Sequence, residues 1–151
     1  MRSFRLPDED GKKKWRIGGY QADFESGDTY SGIVYGEAFR GILALRGQKT
    51  EVVREEGKVK TRVIGTFGDP IALGKVLKKG EWNSYHIVCK GHTMTNKING
   101  QIMAQVIDLD EKERRSEGLL AFQMHVGNPM IVQFRNVMLK RLPVSSGAES
   151  N

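Results

Sequence analysis

The sequence predicts an all-β protein, a sandwich of two antiparallel sheets with at most one short helix. Three observations lead there. Apolar and polar residues alternate with a period of two in run after run, as in Ser84–Lys90 and Gln101–Ile107. Glycine or asparagine punctuates almost every junction between runs, and the chain spends 18 of its 151 residues on glycine. Helical spacing is confined to Asp69–Leu77, where an aspartate cap precedes Pro70 in the first turn.

The elements follow in order. Trp15–Glu25 breaks at Gly18-Gly19 and then alternates, with Tyr20, Ala22 and Phe24 facing one way and Gln21, Asp23 and Glu25 the other. Along a strand such neighbours stand about 6.6–6.8 Å apart. Ser26-Gly27-Asp28 turns the chain into Tyr30–Glu37, where Ile33, Tyr35 and Glu37 share a face and Gly32 and Gly36 mark bulges or close backbone approach. Gly41–Arg46 is a short strand expected to bury Leu43 and Leu45. Thr50–Arg54 and Val59–Ile64 read as a charged edge hairpin around Glu55-Glu56-Gly57.

After the short helix, Ser84–Lys90 leads through Gly91 to His92–Ile98. Asn99-Gly100 then joins that run to Gln101–Ile107, and Asn-Gly between alternating runs is a strong hairpin signal because both residues tolerate positive φ. Asp108–Glu117 reads as a polar loop. Gly118–Val126 and Met130–Leu142 are expected to pair as a hairpin about Gly127-Asn128-Pro129, apolar on one face and carrying Gln123, His125, Gln133 and Arg135 on the other. Residues 143–151 read as a disordered polar tail.

Size and composition set limits. A 38% hydrophobic chain of this length suits one globular domain, placed at residues 1–142. No apolar run approaches the ~20 residues of a membrane helix, so no membrane partner is expected. The beginning of the chain has no apolar h-region, and localisation is left open. Cys89 is the single cysteine, which excludes an internal disulfide. The net charge of +6 sits in short clusters, Lys12–Arg16 and Lys75–Lys79. It allows weak, non-specific polyanion contact, but no specific nucleic-acid partner is expected because no recognition motif accompanies it. The carboxylates of Asp23 and Glu25 on one strand face are candidates for acid/base work, since crowding separates their pKa values.

Several motifs in a fixed order resemble the 3-keto-disaccharide hydrolase domain family. They are Gly19-Tyr20-Gln21-x-Asp23, Ser31-Gly32-Ile33-x-Tyr35, Gly80-Glu81-Trp82-Asn83, Ile98-Asn99-Gly100, Phe122-Gln123-x-His125-x-Gly127 and Phe134-Arg135-Asn136-Val137. The resemblance spans Arg2 to Leu142. It implies a concanavalin A-like jelly roll and a hydrolase acting on the glycosidic bonds of 3-keto-sugars. In such a reaction a base removes the C2 proton, the enolate expels the C1 substituent, and water adds back. On this reading Asp23 and Glu37 are candidate bases and His125 a candidate acid or base. Arg2, Gln123 and Arg135 would hold the ketone or hydroxyls, and Gln21, Tyr35 and Trp82 would contact a carbohydrate substrate. No cofactor is certain; a divalent cation held by oxygen or imidazole groups among Gln21, Asp23, Glu37 and His125 stays an open alternative.

Met1-Arg2-Ser3 resembles the end of a family strand, so the chain is expected to start partway into the domain. That start would leave strand edges open to self-association. Family members are often exported. The alternative function is a non-catalytic carbohydrate-binding module, or an inactive fragment, on the same fold.

Overall fold

The computed structural model describes residues 1–7, 11, 15–125 and 127–143. By its internal packing the chain divides into two compact units, Met1–Leu120 and Ala121–Asn151.

The first unit is all-β apart from one short helix. Its smaller sheet runs in the order β1 (Phe4–Arg5), β2 (Ile17–Ala22), β3 (Val34–Glu37), β4 (Gly41–Ala44), every pair antiparallel. The larger sheet contains β5 (Gln48–Glu55), β6 (Lys58–Thr66), β7 (Tyr85–Lys90), β8 (Thr93–Ile98) and β9 (Gln101–Asp108), in the spatial order β6-β5-β9-β8-β7. β5 and β9 pair in parallel, with Lys49 opposite Gln105 and Val52 opposite Asp108. The sheets pack face to face through one core, to which Tyr20, Val34, Leu43 and Ala44 come from the smaller sheet and Val52, Met94, Ala104 and Val106 from the larger. The chain is thus a β-sandwich, as its alternation and turns predict.

Local sequence explains most elements. Asn99 and Gly100 take φ of 50° and 85° between β8 and β9, the left-handed pair of a type I′ turn. Helix α1 (Pro70–Gly74) starts where Asp69 accepts a hydrogen bond from the Ala72 backbone N–H at 2.8 Å, with Pro70 in the first turn. β6 is the edge strand expected of the charged hairpin, and Lys60 and Arg62 pair with Glu55 across it.

Three expectations are corrected. Leu45 lies beyond β4 and is 43% exposed, whereas Leu43 and the unexpected Ala44 fill the core. The short strand ends at Ala44, so the alternation that would have turned Leu45 inward stops first. Phe24, expected to share the face of Tyr20 and Ala22, lies past the end of β2 and is 44% exposed, while Tyr20 is buried. The third concerns Gly118–Leu142. Among its described residues there is no strand and no hairpin; one isolated bridge, Ser3 with Leu119, is its only sheet-type pairing. Period-two alternation supplies a face but no pairing partner, and a lone two-stranded hairpin is marginal in water. Within the unit Ala121–Asn151, the rings of Phe122 and Phe134 pack with centroids 4.3 Å apart. Val126 and residues 144–151, most of the expected tail, lie outside the described residues, as do Lys12–Lys14 of the basic cluster.

Candidate active site

Gly18 and Gly19 open β2 because β1 lies against them. A Cβ on Gly18 would stand 2.9 Å from the Phe4 ring, and one on Gly19 2.9 Å from Ser3 Cα, with φ at 117°. Only glycine permits that approach. Beyond the pair, Tyr20 of β2 and Val34 of β3 turn into the core, so Gln21, Tyr35 and Glu37 point to the opposite face. Gln21 stands opposite Tyr35, and Gly19 opposite Glu37.

Asp23 follows directly after β2 and continues this face. The Gln21 side-chain amide donates to its carboxylate. Its backbone is fixed at both ends: the Asp23 N–H donates to Ile33 O at 3.3 Å, and the Asp23 carbonyl accepts from Gly32 N–H at 2.8 Å and from the Tyr85 hydroxyl at 3.0 Å. Burial first, and the Asp23 charge second, push the Tyr85 phenol well above its ordinary range, which keeps it a donor. The following loop is braced by Arg46, whose guanidinium donates to Ser31 O at 3.0 Å and Asp28 O at 2.9 Å.

This geometry separates the expected carboxylates. Glu25 is engaged in the loop, accepting from the Thr29 and Tyr30 N–H groups at 2.7 Å each, so it does not pair with Asp23 as the alternation suggested. Glu37 lies opposite Gly19, four residues from Asp23, which sets the two about 13 Å apart along the strand. Two groups that far apart cannot serve the same proton.

Arg2 takes φ of 47° and sends its guanidinium to Gly91 O at 2.6 Å and Arg115 O at 3.4 Å. Those bonds place it toward the β7–β8 turn and the loop after β9. Trp82 is 45% exposed in a turn tied by the Asn83 side chain to Lys78 N–H at 2.9 Å and by Asn99 to Asn83 Oδ1 at 2.8 Å. Gln123, His125 and Arg135 lie exposed in the unit Ala121–Asn151. The structure therefore brings together Gln21, Asp23 and Tyr35, with Glu37 farther along the same face. Among the described residues no three of His, Cys, Asp and Glu form a cluster suited to a metal ion.

The segment read as a polar loop holds a charge network that the sequence reading missed. Asp108 and Asp110 are 1% and 2% exposed. The Arg40 guanidinium bridges them at 2.5 and 2.6 Å, and Arg54 grips Asp110 at 2.8 and 2.9 Å and Glu113 at 2.9 Å. The Tyr20 hydroxyl donates to Asp108, and burial, followed by that bond, raises its phenol pKa strongly. Hydrogen bonding from Arg54, with Coulombic help from Arg40, holds the Asp110 carboxyl below its ordinary range. A signal was present: Asp108 continues the parity of Ala104 and Val106, both core residues. Beside the network, Phe4, Phe39 and residues 112–115 line an open cleft of about 410 Å³.

One sheet face of the sandwich thus groups an amide, a carboxylate and a phenol, side chains able to donate and accept hydrogen bonds. The model of the 3-keto-α-glucoside-1,2-lyase-like domain matches residues 3–140, and the chain belongs to that family. Searches of curated proteins and of solved structures gave no match.

Proposed function

We propose that this protein cleaves the glycosidic bond of 3-keto-glycosides, with Asp23 as the base. The observation that carries this is the Gln21–Asp23 pair on the face of β2, in a chain of the 3-keto-α-glucoside-1,2-lyase-like family. The C3 ketone acidifies the C2 hydrogen. Asp23 takes that proton, the electron pair forms the enolate, and the C1–O bond breaks as the leaving oxygen is protonated. In hydrolysis, water then adds across the new double bond, its hydroxyl to C1 and its proton to C2. The Gln21 amide orients the carboxylate, and Tyr35, its cross-strand neighbour, offers a ring face and a hydroxyl to the sugar. Of the two candidate bases Asp23 is favoured, because it has the oriented partner and Glu37 stands about 13 Å away.

His125 is the proposed proton donor, its imidazole carrying an N–H to give. Gln123, Arg135 and Trp82 are proposed substrate contacts; Arg2, whose guanidinium is bonded to Gly91 O and Arg115 O, is left out of the proposed site. Asp23→Asn tests the reading: it keeps the Gln21 contact but removes the base, so turnover of a 3-keto-disaccharide should fall about 10²–10⁴-fold with binding retained. Unchanged turnover would exclude Asp23 as the base.

A further inference from the structure

The larger sheet has a second face, turned away from the core, whose charge the proposed reaction does not use. Val52, Met94, Ala104 and Val106 point inward, so their alternating neighbours point outward. Six cations fall on that outward parity: Lys49 on β5, Lys58, Lys60 and Arg62 on β6, Lys90 on β7 and Lys97 on β8. Only Glu51 and Glu55 oppose them there, and both are engaged with β6, Glu55 with Lys60 and Arg62 and Glu51 with Arg62 at 3.7 Å. Among the described residues that leaves Lys49, Lys58, Lys90 and Lys97 without an ion pair; Lys58 sits at one end of the edge strand, and the other three lie on β5, β7 and β8. The strand register spreads these three across the sheet: Lys49 opposite Gln105, itself opposite Thr95, with Lys97 two residues along β8 from Thr95 and Lys90 opposite Thr93.

Between the lysines the face offers Gln105, whose amide donates to the Thr95 hydroxyl at 2.9 Å, together with Thr93, Val88 and Ile107. It carries hydroxyl and amide groups but no Phe, Tyr or Trp. A single-stranded nucleic acid draws much of its affinity from aromatic stacking, which this face lacks. A chain of carboxylated sugars meets such a face through charge-assisted hydrogen bonds from lysines to its carboxylates and through hydroxyl and amide groups to its hydroxyls.

We propose that this outer face of the five-stranded sheet binds an acidic polysaccharide, a polyuronate, through Lys49, Lys90 and Lys97. The proposal is independent of the assignment of Asp23.

The test compares two doubly charge-reversed variants of the full chain with equal net charge. Lys90→Glu/Lys97→Glu alters the face, and Lys75→Glu/Lys78→Glu alters exposed lysines just after the helix. Binding of polygalacturonate oligomers is measured by titration at low and moderate salt, with a dT oligomer as competitor. The expected result is salt-sensitive binding, weakened about tenfold or more by the face variant and little by the other. Equal weakening by both variants would overturn the proposal, since net charge alone would then be acting. So would no binding by the wild type, or tighter binding of the dT oligomer. Lys49→Gln/Lys90→Gln, a milder change, decides the matter if the reversed face variant does not fold: it should weaken binding as well, and unaltered binding would count against the face.

Discussion

At the residue scale, the contrast between Asp23 and Asp110 shows what surroundings do to a carboxylate. Asp23 is oriented by one side-chain amide and lies partly open on a sheet face. Asp110 is 2% exposed and held by two arginines. Removing its charge should leave the buried Arg40 guanidinium and the half-buried Arg54 with too little negative charge, so Asp110→Ala should cost about 3 kcal/mol, read from urea unfolding. The pH dependence follows from the depressed pKa. A carboxyl more acidic in the folded than in the unfolded chain contributes stability that is fully present above the ordinary aspartate range, about 3.9. That contribution disappears as the pH falls through the lower folded value. Thermal midpoints should therefore drop below about pH 4, and Asp110→Asn should flatten that part of the profile. The alternation of Tyr20, Gln21 and Asp23 was readable in the sequence. The inward parity of Asp108 was readable too, but its partners were not, because Arg40 and Tyr20 are 68 and 88 residues away along the chain.

At the element scale, features set by neighbouring residues were readable and features set by distant pairing were not. The Asn99-Gly100 turn and the Asp69 cap both form where their local chemistry places them. Asp69→Ala should remove about 1 kcal/mol, detectable by equilibrium unfolding. The parallel pairing of β5 with β9 has no local signature, since it joins strands some 55 residues apart. The same limit explains the expected hairpin over Gly118–Leu142, whose alternation named a face without naming a partner. Gly32 illustrates a position where a distant contact decides the residue. Its φ is 94°, and a Cβ there would stand 2.6 Å from Met103 Cβ on β9. Gly32→Ala should destabilise by about 1–3 kcal/mol and, because Gly32 N–H holds the Asp23 carbonyl, should lower activity as well. A folded, fully active Gly32→Ala would show that this approach is dispensable.

At the scale of the whole molecule, two sheets share one core in the unit Met1–Leu120, and their outward faces differ in kind. The smaller sheet presents Gln21, Tyr35 and Glu37, with Asp23 beside it; the larger presents lysines. The sandwich class was readable because alternation and turn residues agree along most of the chain. Which face carries chemistry was not, since alternation alone treats both faces alike. The proposed reaction takes the first, on the Gln21–Asp23 pair. None of the described helices is long and apolar enough to cross a membrane.

The most direct measurement of the central claim is a proton-NMR time course of the wild-type chain and Asp23→Asn with 3-keto-trehalose. The expected result is steady release of free glucose by the wild type, and loss of that release in a variant whose amide dispersion and sugar-induced shifts persist. Sugar-induced shifts with no glucose from the wild type would contradict the claim and make the protein a binding module, and release of glucose by Asp23→Asn at the wild-type rate would remove Asp23 from the chemistry.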